Sequence, residues 1–157
     1  MDSYLLVKTL HILSATVLLG TGSGIAFFMW MAHRGGDVKT IAAVAKLVVL
    51  ADWCFTAPSV VVQFGSGMLL AHWAGFAWST PWLMVSIILY FVIGACWLPV
   101  VALQIRARDL AMAAVQAGTL LPPLYHRSMR VWFALGCPAF ACVIAIVYLM
   151  VAKPPLW

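Results

Sequence analysis

The stretch Ala51-Asp-Trp-Cys-Phe-Thr-Ala-Pro-Ser-Val-Val-Val-Gln-Phe-Gly-Ser-Gly67 decides how this chain folds. It is apolar enough to cross a membrane, yet it contains an acid, a proline and a glutamine. Its polar residues recur three or four positions apart, a spacing that places them on one face of an α-helix. Lipid cannot satisfy such a face, so we expect it to turn towards protein or water. We call this face the polar stripe; its members are Asp52, Thr56, Ser59, Gln63 and Ser66.

The composition of the whole chain predicts an integral membrane protein. The 157 residues are 66% hydrophobic and only 8% charged, whereas a soluble domain has roughly 25% charged residues. Four apolar runs reach the roughly 20 residues that a helix needs to cross a bilayer. These predicted spans 1 to 4 cover residues 4–31, 47–72, 82–106 and 131–152. The sequence therefore predicts an all-α fold, a four-helix transmembrane bundle in which residues 1–157 form a single domain.

The basic residues predict how the bundle lies in its membrane. The net charge is +5, but Lys8 and Lys153 are the only basic residues at one side. The other Lys and Arg residues lie in or beside the loops that join spans 1–2 and 3–4. By the positive-inside rule these loops are cytoplasmic and both termini lie on the opposite, outer side of the membrane. We therefore expect a multi-pass membrane protein, with the lipid bilayer as its partner and no nucleic acid.

Span 1 carries a histidine, which inside a span is a functional hypothesis by default. By helical rise, His11 lies at a depth similar to that of Gln63 in span 2 and Tyr90 in span 3. Imidazole is a common ligand of metals and of haem iron. We therefore predict His11 as a metal ligand that binds haem b, with Gln63 and Tyr90 as hydrogen-bonding partners and Trp97 as a wall against the ring. The alternative is that His11 only bonds a carbonyl or Gln63 across the bundle.

Asp52 is the one acid inside a predicted span. Arg106 and Arg130 lie at a similar depth, and an ion pair with either would neutralise the acid and join span 2 to span 3 or 4. The alternative is a proton relay, with the carboxyl in a dry site. In that second hypothesis the polar stripe lines a path for protons, a small solute or a metal, and the protein is a permease module.

A third hypothesis is a structural or oligomeric membrane subunit. Gly20 and Gly24 form a Gly-xxx-Gly pair on the face of span 1 opposite His11, and such a pair lets two helices approach closely. The pair is therefore a predicted contact with a neighbouring helix or with a second copy of the chain, which would make a homo-oligomer. The sequence contains no His-Glu-x-x-His, no Gly-x-Ser-x-Gly and no phosphate loop, so hydrolase and nucleotide chemistry have no support. Whether the protein is an enzyme stays open, with a membrane haem-dependent oxidoreductase as the enzymatic possibility.

Six short motifs are spread over the chain: Lys8-Thr-Leu-His11-Ile, Gly20-Thr-Gly-Ser-Gly24, Asp52-Trp-Cys-Phe-Thr-Ala-Pro58, Gly94-Ala-Cys-Trp-Leu-Pro99, Leu121-Pro-Pro-Leu-Tyr125 and Lys153-Pro154. Together they resemble a bacterial family of predicted integral membrane proteins classed as a domain of unknown function. The resemblance covers essentially the whole chain. It implies four helices and a location in the bacterial inner membrane, where both termini would be periplasmic, and no known activity.

The Lys-x-Leu-His start of span 1 also looks like two other groups, the HemJ-type protoporphyrinogen oxidases and the copper-resistance D proteins. In the HemJ type a histidine at this place is implicated in haem binding, so the resemblance implies a haem ligand at His11. The lysine that the HemJ type uses in a later helix has no counterpart, because spans 2 to 4 contain no lysine. That difference argues against protoporphyrinogen oxidation itself.

Overall fold

Four long helical rods make up the part of the chain that the computed structural model describes, residues 3–157. Residues 1 and 2 of the predicted domain lie outside the described part. Each rod is long and apolar enough to cross a membrane, so the prediction of an all-α transmembrane bundle is confirmed. The helices are α1 (Ser3–Gly35), α2 (Val38–Ala51), a π-helical turn (Asp52–Thr56), α3 (Ala57–Trp73), α4 (Pro81–Ala117) and α5 (Pro123–Ala152). Because α2, the π turn and α3 follow one another without a break, they form the second rod.

The rods are longer than the predicted spans at the end that carries most of the basic residues, which we call the basic end. There α2 begins at Val38, α4 continues to Ala117 and α5 begins at Pro123. The carboxylate of Asp37 caps α2 by accepting a hydrogen bond from its first turn, and Gly118 ends α4 in the left-handed conformation with φ of 63°. These segments lie outside the predicted spans, and amphipathic helices can continue past the hydrocarbon layer while one face packs on the core.

The apolar core is concentrated at the two ends of the bundle. The larger cluster lies at the basic end and draws buried side chains from α1, α2, α4 and α5. Its largest fully buried members are Tyr125, Met29, Ile41 and Met129. A smaller cluster at the opposite end, which we call the aromatic end, is formed by Ala71, Trp82, Leu83 and Leu149. The polar stripe lies in the middle of the bundle between these two clusters.

The order in which the rods pack places the polar stripe between two neighbours. Helix α5 packs along α4, α4 packs on α2, and α1 packs on α2, the π turn and α3. The second rod therefore lies between α1 and α4. Large apolar side chains such as Phe28, Phe91 and Leu98 are exposed on the outside of the bundle, as expected for surfaces that face lipid.

The π turn ends at Thr56, two residues before Pro58. A proline inside a helix has no N–H to donate, and its ring crowds the carbonyl four residues earlier. Here the helix widens instead: the N–H of Ala57 bonds to the carbonyl of Asp52, five residues back. A π turn fits more residues into one turn than an α-helix, so it rotates the residues that follow it. As a result, Asp52 faces α4, whereas Gln63 and Ser66 face α1.

Candidate functional site

The polar stripe faces the interior of the bundle. Asp52, Thr56, Ser59 and Ser66 are buried and Gln63 is half-buried, so the predicted inward orientation is found. At a rise of 1.5 Å per residue the stripe extends over about 21 Å from Asp52 to Ser66. Its two ends belong to separate polar clusters, one around a histidine and one around a carboxyl group.

The histidine cluster joins α1 to α3 and consists of His11, Ser14, Gln63 and Ser66. The Nδ1 atom of His11 lies 2.9 Å from the hydroxyl of Ser66. Its Nε2 atom lies 3.0 Å from the side-chain nitrogen of Gln63. The hydroxyl of Ser14 donates to the side-chain oxygen of Gln63 at 2.5 Å. The structure therefore brings His11 and Gln63 together, and both ring nitrogens of His11 have partners within the protein.

The partners of His11 determine its tautomer. An amide nitrogen can only donate, so Gln63 donates to Nε2 and that atom is an acceptor. The ring proton is then on Nδ1 and is donated to Ser66, whose own hydroxyl donates to the carbonyl of Val62 at 2.6 Å. An unbroken chain of hydrogen bonds leads from Ser14 through Gln63, His11 and Ser66 to that carbonyl. In this state the imidazole is neutral.

The ring of His11 lies directly against the backbone of α3 at Gly67. A Cβ atom on Gly67 would be 3.0 Å from Cε1 of His11, closer than side chains normally pack. A larger residue at Gly67 would therefore require the imidazole to shift by a few tenths of an ångström. Neither Ser14 nor Gly67 was predicted as a site residue from the sequence. The available signal was their spacing, because Ser14 follows His11 by one helical turn and Gly67 follows Gln63 by one helical turn.

The carboxyl cluster lies towards the basic end and consists of Asp52, Thr56, Trp97 and Gln104. The carboxyl of Asp52 is buried, with 2% of the residue exposed. The polar side chains that approach it are those of Thr56, Gln104 and Trp97. Even so, Oδ2 of Asp52, Oγ1 of Thr56 and Oε1 of Gln104 are buried without a hydrogen-bond partner. Buried polar atoms are rarely left unpaired, and those that are often mark functional positions.

A small cavity adjoins the Asp52 carboxyl. Its volume is about 20 Å³, and it is lined by Asp52, Trp53, Ala57, Trp97 and Val101. A cavity of this size holds a water molecule only where polar groups line it, and the walls of this cavity are apolar. The structure therefore shows space beside the buried acid but no polar site for water in it.

The ion pair that we predicted between Asp52 and Arg106 or Arg130 is not formed. Within residues 3–157 the one ion pair is Arg108–Asp109, at 2.8 Å. Both Arg106 and Arg130 are exposed. On α4 the residue that faces inward is Gln104, and a residue two positions later points to nearly the opposite side of a helix. The carboxyl of Asp52 thus has neutral neighbours in place of the expected cation.

The residues predicted to bind haem b do not form one pocket. The hydroxyl of Tyr90 donates to the carbonyl of Val60 at 2.7 Å, and Trp97 belongs to the carboxyl cluster. Because Gln63 and Ser66 occupy both ring nitrogens of His11, neither nitrogen is available to iron in this arrangement. Among the described residues no group of three or more His, Cys, Asp or Glu side chains is placed to hold a metal ion. The haem-binding role of His11 stays a prediction that this geometry does not fit.

Comparison with known proteins gives one match. A family model described as "Predicted integral membrane protein (DUF2269)" matches residues 5–154. No curated protein and no solved structure matches the chain significantly. The match agrees with the resemblance to a membrane family of unknown function, whereas the similarity to the HemJ-type enzymes and the copper-resistance D proteins is not shown.

Proposed function

We propose that this chain, which belongs to the family of predicted integral membrane proteins DUF2269, carries protons across its membrane along the polar stripe. One observation carries the proposal: a buried carboxyl group without a cation partner lies at one end of the polar stripe, and the other end of the stripe contacts a histidine of α1. Ionisable groups inside membrane proteins commonly mark proton or ion pathways. It is the permease hypothesis with the proton as the transported species.

The carboxyl cluster suits the entry or exit of a proton. A water molecule that reaches the buried carboxyl of Asp52 from the basic end can give it a proton and take the proton back. Thr56 and Gln104 are neutral, so no ion pair holds the Asp52 carboxyl in its charged form. An acid that is fixed by an arginine would stay ionised and would not relay protons.

The histidine cluster suits a controlled step at the other end of the stripe. A water molecule that reaches the histidine cluster gives a proton to Nε2 of His11 while the amide of Gln63 rotates, so that its oxygen accepts a hydrogen bond from the new N–H. Nδ1 then passes its own proton to the hydroxyl of Ser66, which turns away from the Val62 carbonyl and releases its hydroxyl proton to water at the aromatic end. Between Thr56 and Gln63 the helical rise leaves about 10 Å, which Ser59 and transient water would have to bridge. Each proton taken from water on one side is returned to water on the other, and no other reactant is needed.

Proton flux into vesicles tests the proposal. The purified protein is reconstituted into liposomes that contain a pH-sensitive dye, and a potassium diffusion potential drives the flux. We expect the wild type to acidify or alkalinise the lumen faster than empty vesicles, and Asp52→Asn to reduce the rate to that of empty vesicles. Asp109→Asn is the matched control, because Asp109 is exposed and pairs with Arg108 outside the stripe. Equal rates for the wild type and Asp52→Asn, or a wild type no faster than empty vesicles, would contradict the proposal.

The redox alternative is tested separately. It requires Gln63 or Ser66 to release a ring nitrogen of His11 to haem iron. The protein is purified from cells supplied with haem, and its absorption spectrum is recorded. A Soret band that His11→Ala removes and His72→Ala retains would favour haem binding; His72 is a suitable control because it is exposed at the aromatic end. Under the proton proposal the flux of the wild type does not depend on added haem.

We also propose that the protein lies in a bacterial inner membrane with its basic end in the cytoplasm and both termini in the periplasm. The asymmetric distribution of Lys and Arg supports this orientation. Alkaline phosphatase fused after Trp157 folds only outside the cytoplasm, so that fusion is expected to be active. An inactive fusion at Trp157 together with an active fusion in the loop at Gly118 would reverse the orientation.

A further inference from the structure

Two histidines from different rods meet at the basic end. His33 lies near the end of α1 and His126 in the first turn of α5, and their ring centroids are 5.8 Å apart. Nδ1 of His33 also lies 3.3 Å from the hydroxyl of Tyr125, a residue that is fully buried. The contact fixes the end of α1 against the start of α5 and leaves His126 exposed.

Two arginines lie next to this histidine pair, above aromatic rings of α1 and α5. The guanidinium of Arg34 lies 5.2 Å from the ring centroid of Trp30, one helical turn earlier on α1. Trp30 packs edge to face on Phe133 of α5, with 6.0 Å between the ring centroids. Arg130 is one turn before Phe133, so it lies on the same side of α5. We call the group formed by His33, Arg34, His126 and Arg130, with the two aromatic rings below it, the basic junction.

The charge of the basic junction favours an anion. Arg34 and Arg130 have no acidic partner, because the one ion pair among residues 3–157 is Arg108–Asp109. The nearest acid along the chain, Asp37, uses its carboxylate to accept two hydrogen bonds from Thr40. Two histidines alone could hold a metal cation, but two unpaired arginines beside them would repel it. Arginine and histidine side chains that converge without a carboxylate are suited to bind phosphate.

We propose that the basic junction binds the phosphate group of an anionic phospholipid. The position favours a lipid, because the group lies at the end of two membrane-spanning rods where head groups are found. Trp30 is 38% exposed and offers an apolar surface below the arginines, against which the glycerol and the upper acyl chain can pack. Basic pockets between transmembrane helices are known to bind anionic head groups. This inference does not depend on the proton pathway, which uses other residues.

Native mass spectrometry of the full-length protein in detergent tests the inference. The probes are phosphatidylglycerol and phosphatidylcholine with identical acyl chains. We expect phosphatidylglycerol to bind more tightly. We expect Arg34→Gln/Arg130→Gln to weaken its binding by about fivefold for each arginine removed and to leave phosphatidylcholine binding unchanged. The matched control is Lys46→Gln/Arg106→Gln, which removes two exposed positive charges from α2 and α4 at the same end and is expected to retain the preference.

Equal loss in the variant and the control would show a general charge effect and overturn the site. Soluble glycerol phosphate and inorganic phosphate form a second arm. If either displaces the lipid as effectively as phosphatidylglycerol itself, the site takes a soluble phosphate and the lipid assignment is wrong. Should the double variant fail to fold, the salt dependence of lipid binding by the wild type tests the proposal. Raising the ionic strength must then weaken the binding of phosphatidylglycerol but not that of phosphatidylcholine, and a preference independent of salt would contradict the proposal.

Discussion

At the scale of single residues, the contact between His11 and Gly67 leaves little room for a larger side chain at position 67. We expect Gly67→Ala to push the imidazole away, because the new methyl group would be 3.0 Å from Cε1 of the ring. The bonds from His11 to Gln63 and Ser66 would lengthen or break. Overpacking of this kind costs about 1–3 kcal/mol, and a lower apparent melting temperature in detergent would report it.

Gly65→Ala is the control for this substitution. Gly65 lies two residues earlier on the same helix, and a Cβ atom there has nothing within 4 Å. Its melting temperature is expected to match that of the wild type or to be slightly higher, since alanine favours the helix. If Gly67→Ala were as stable as Gly65→Ala, the close packing of His11 on α3 would be wrong.

The sequence predicted part of the site at this scale. Depth along the spans and the facing of the stripe were enough to bring His11 and Gln63 together, since both are set by helical geometry. The same reasoning failed for Asp52 and the two arginines. Depth alone does not fix the rotation of a helix about its axis, and Arg106 points outward from α4 while Gln104 points inward. Tyr90 had a suitable depth too, but its hydroxyl bonds to the carbonyl of Val60.

At the scale of helices, the cap of α2 gives a prediction for pH. Two hydrogen bonds from Thr40, from its side chain and its backbone, lower the pKa of the Asp37 carboxyl below its usual value. The folded state therefore binds fewer protons than the unfolded state near pH 4, so this cap stabilises the protein above that range. Its contribution is expected to be lost as the pH falls through the lowered pKa.

Asp37→Asn separates this effect from that of the other acids. Asparagine is also a good helix cap, so the variant should retain the stability that hydrogen bonding provides. It should lose only the part of the pH dependence between about pH 3 and 5 that comes from Asp37. The measurement is chemical unfolding of both proteins across that range. Identical pH profiles for the wild type and the variant would contradict the role of Asp37.

The π turn before Pro58 is the second element with a testable consequence. In Pro58→Ala the backbone N–H is restored, so the π turn can close to a regular α-helix and rotate Asp52 relative to α3. We expect no loss of thermal stability but a lower Asp52-dependent proton flux. The control is Pro138→Ala, because Pro138 lies inside α5, away from the stripe. An unchanged flux in Pro58→Ala would show that the wide turn is not needed to orient the acid.

The sequence predicted the helices better than it predicted their irregularities. The amphipathic lead before span 2 and the continuation after span 3 both have helical patterns, and both are helical in α2 and α4. A proline predicts that regular bonding is interrupted, but it does not tell a kink from a widened turn. The choice depends on tertiary packing. Here the widened turn keeps Asp52 and Thr56 buried even though the stripe changes neighbours along its length.

At the scale of the whole molecule, the sequence predicted the number of helical rods but not which rods contact one another. Length and hydropathy define each span on its own, whereas the contacts depend on side-chain shape on several faces at once. A contact at the aromatic end illustrates what the sequence could not predict. Lys153 lies 5.2 Å from the ring centroid of Phe76 and 5.6 Å from that of Trp82. These contacts hold the end of α5 against the loop before α4 and against the start of α4. Nothing in the spacing of these residues along the sequence indicated that contact.

The Gly20–Gly24 pair is the surface that bears on assembly. A Cβ atom at either position has nothing within 4 Å, so within one chain neither glycine is needed for packing. If a second copy packs there, as the Gly-xxx-Gly spacing predicts, leucines at these positions should separate the copies without unfolding either one. We expect Gly20→Leu/Gly24→Leu to change a dimer to a monomer in light scattering while the melting temperature of the monomer is retained. Gly136→Leu, on α5 and equally free of contacts, should leave the mass unchanged. A mass that is the same for both variants and the wild type would show that the pair is not an interface.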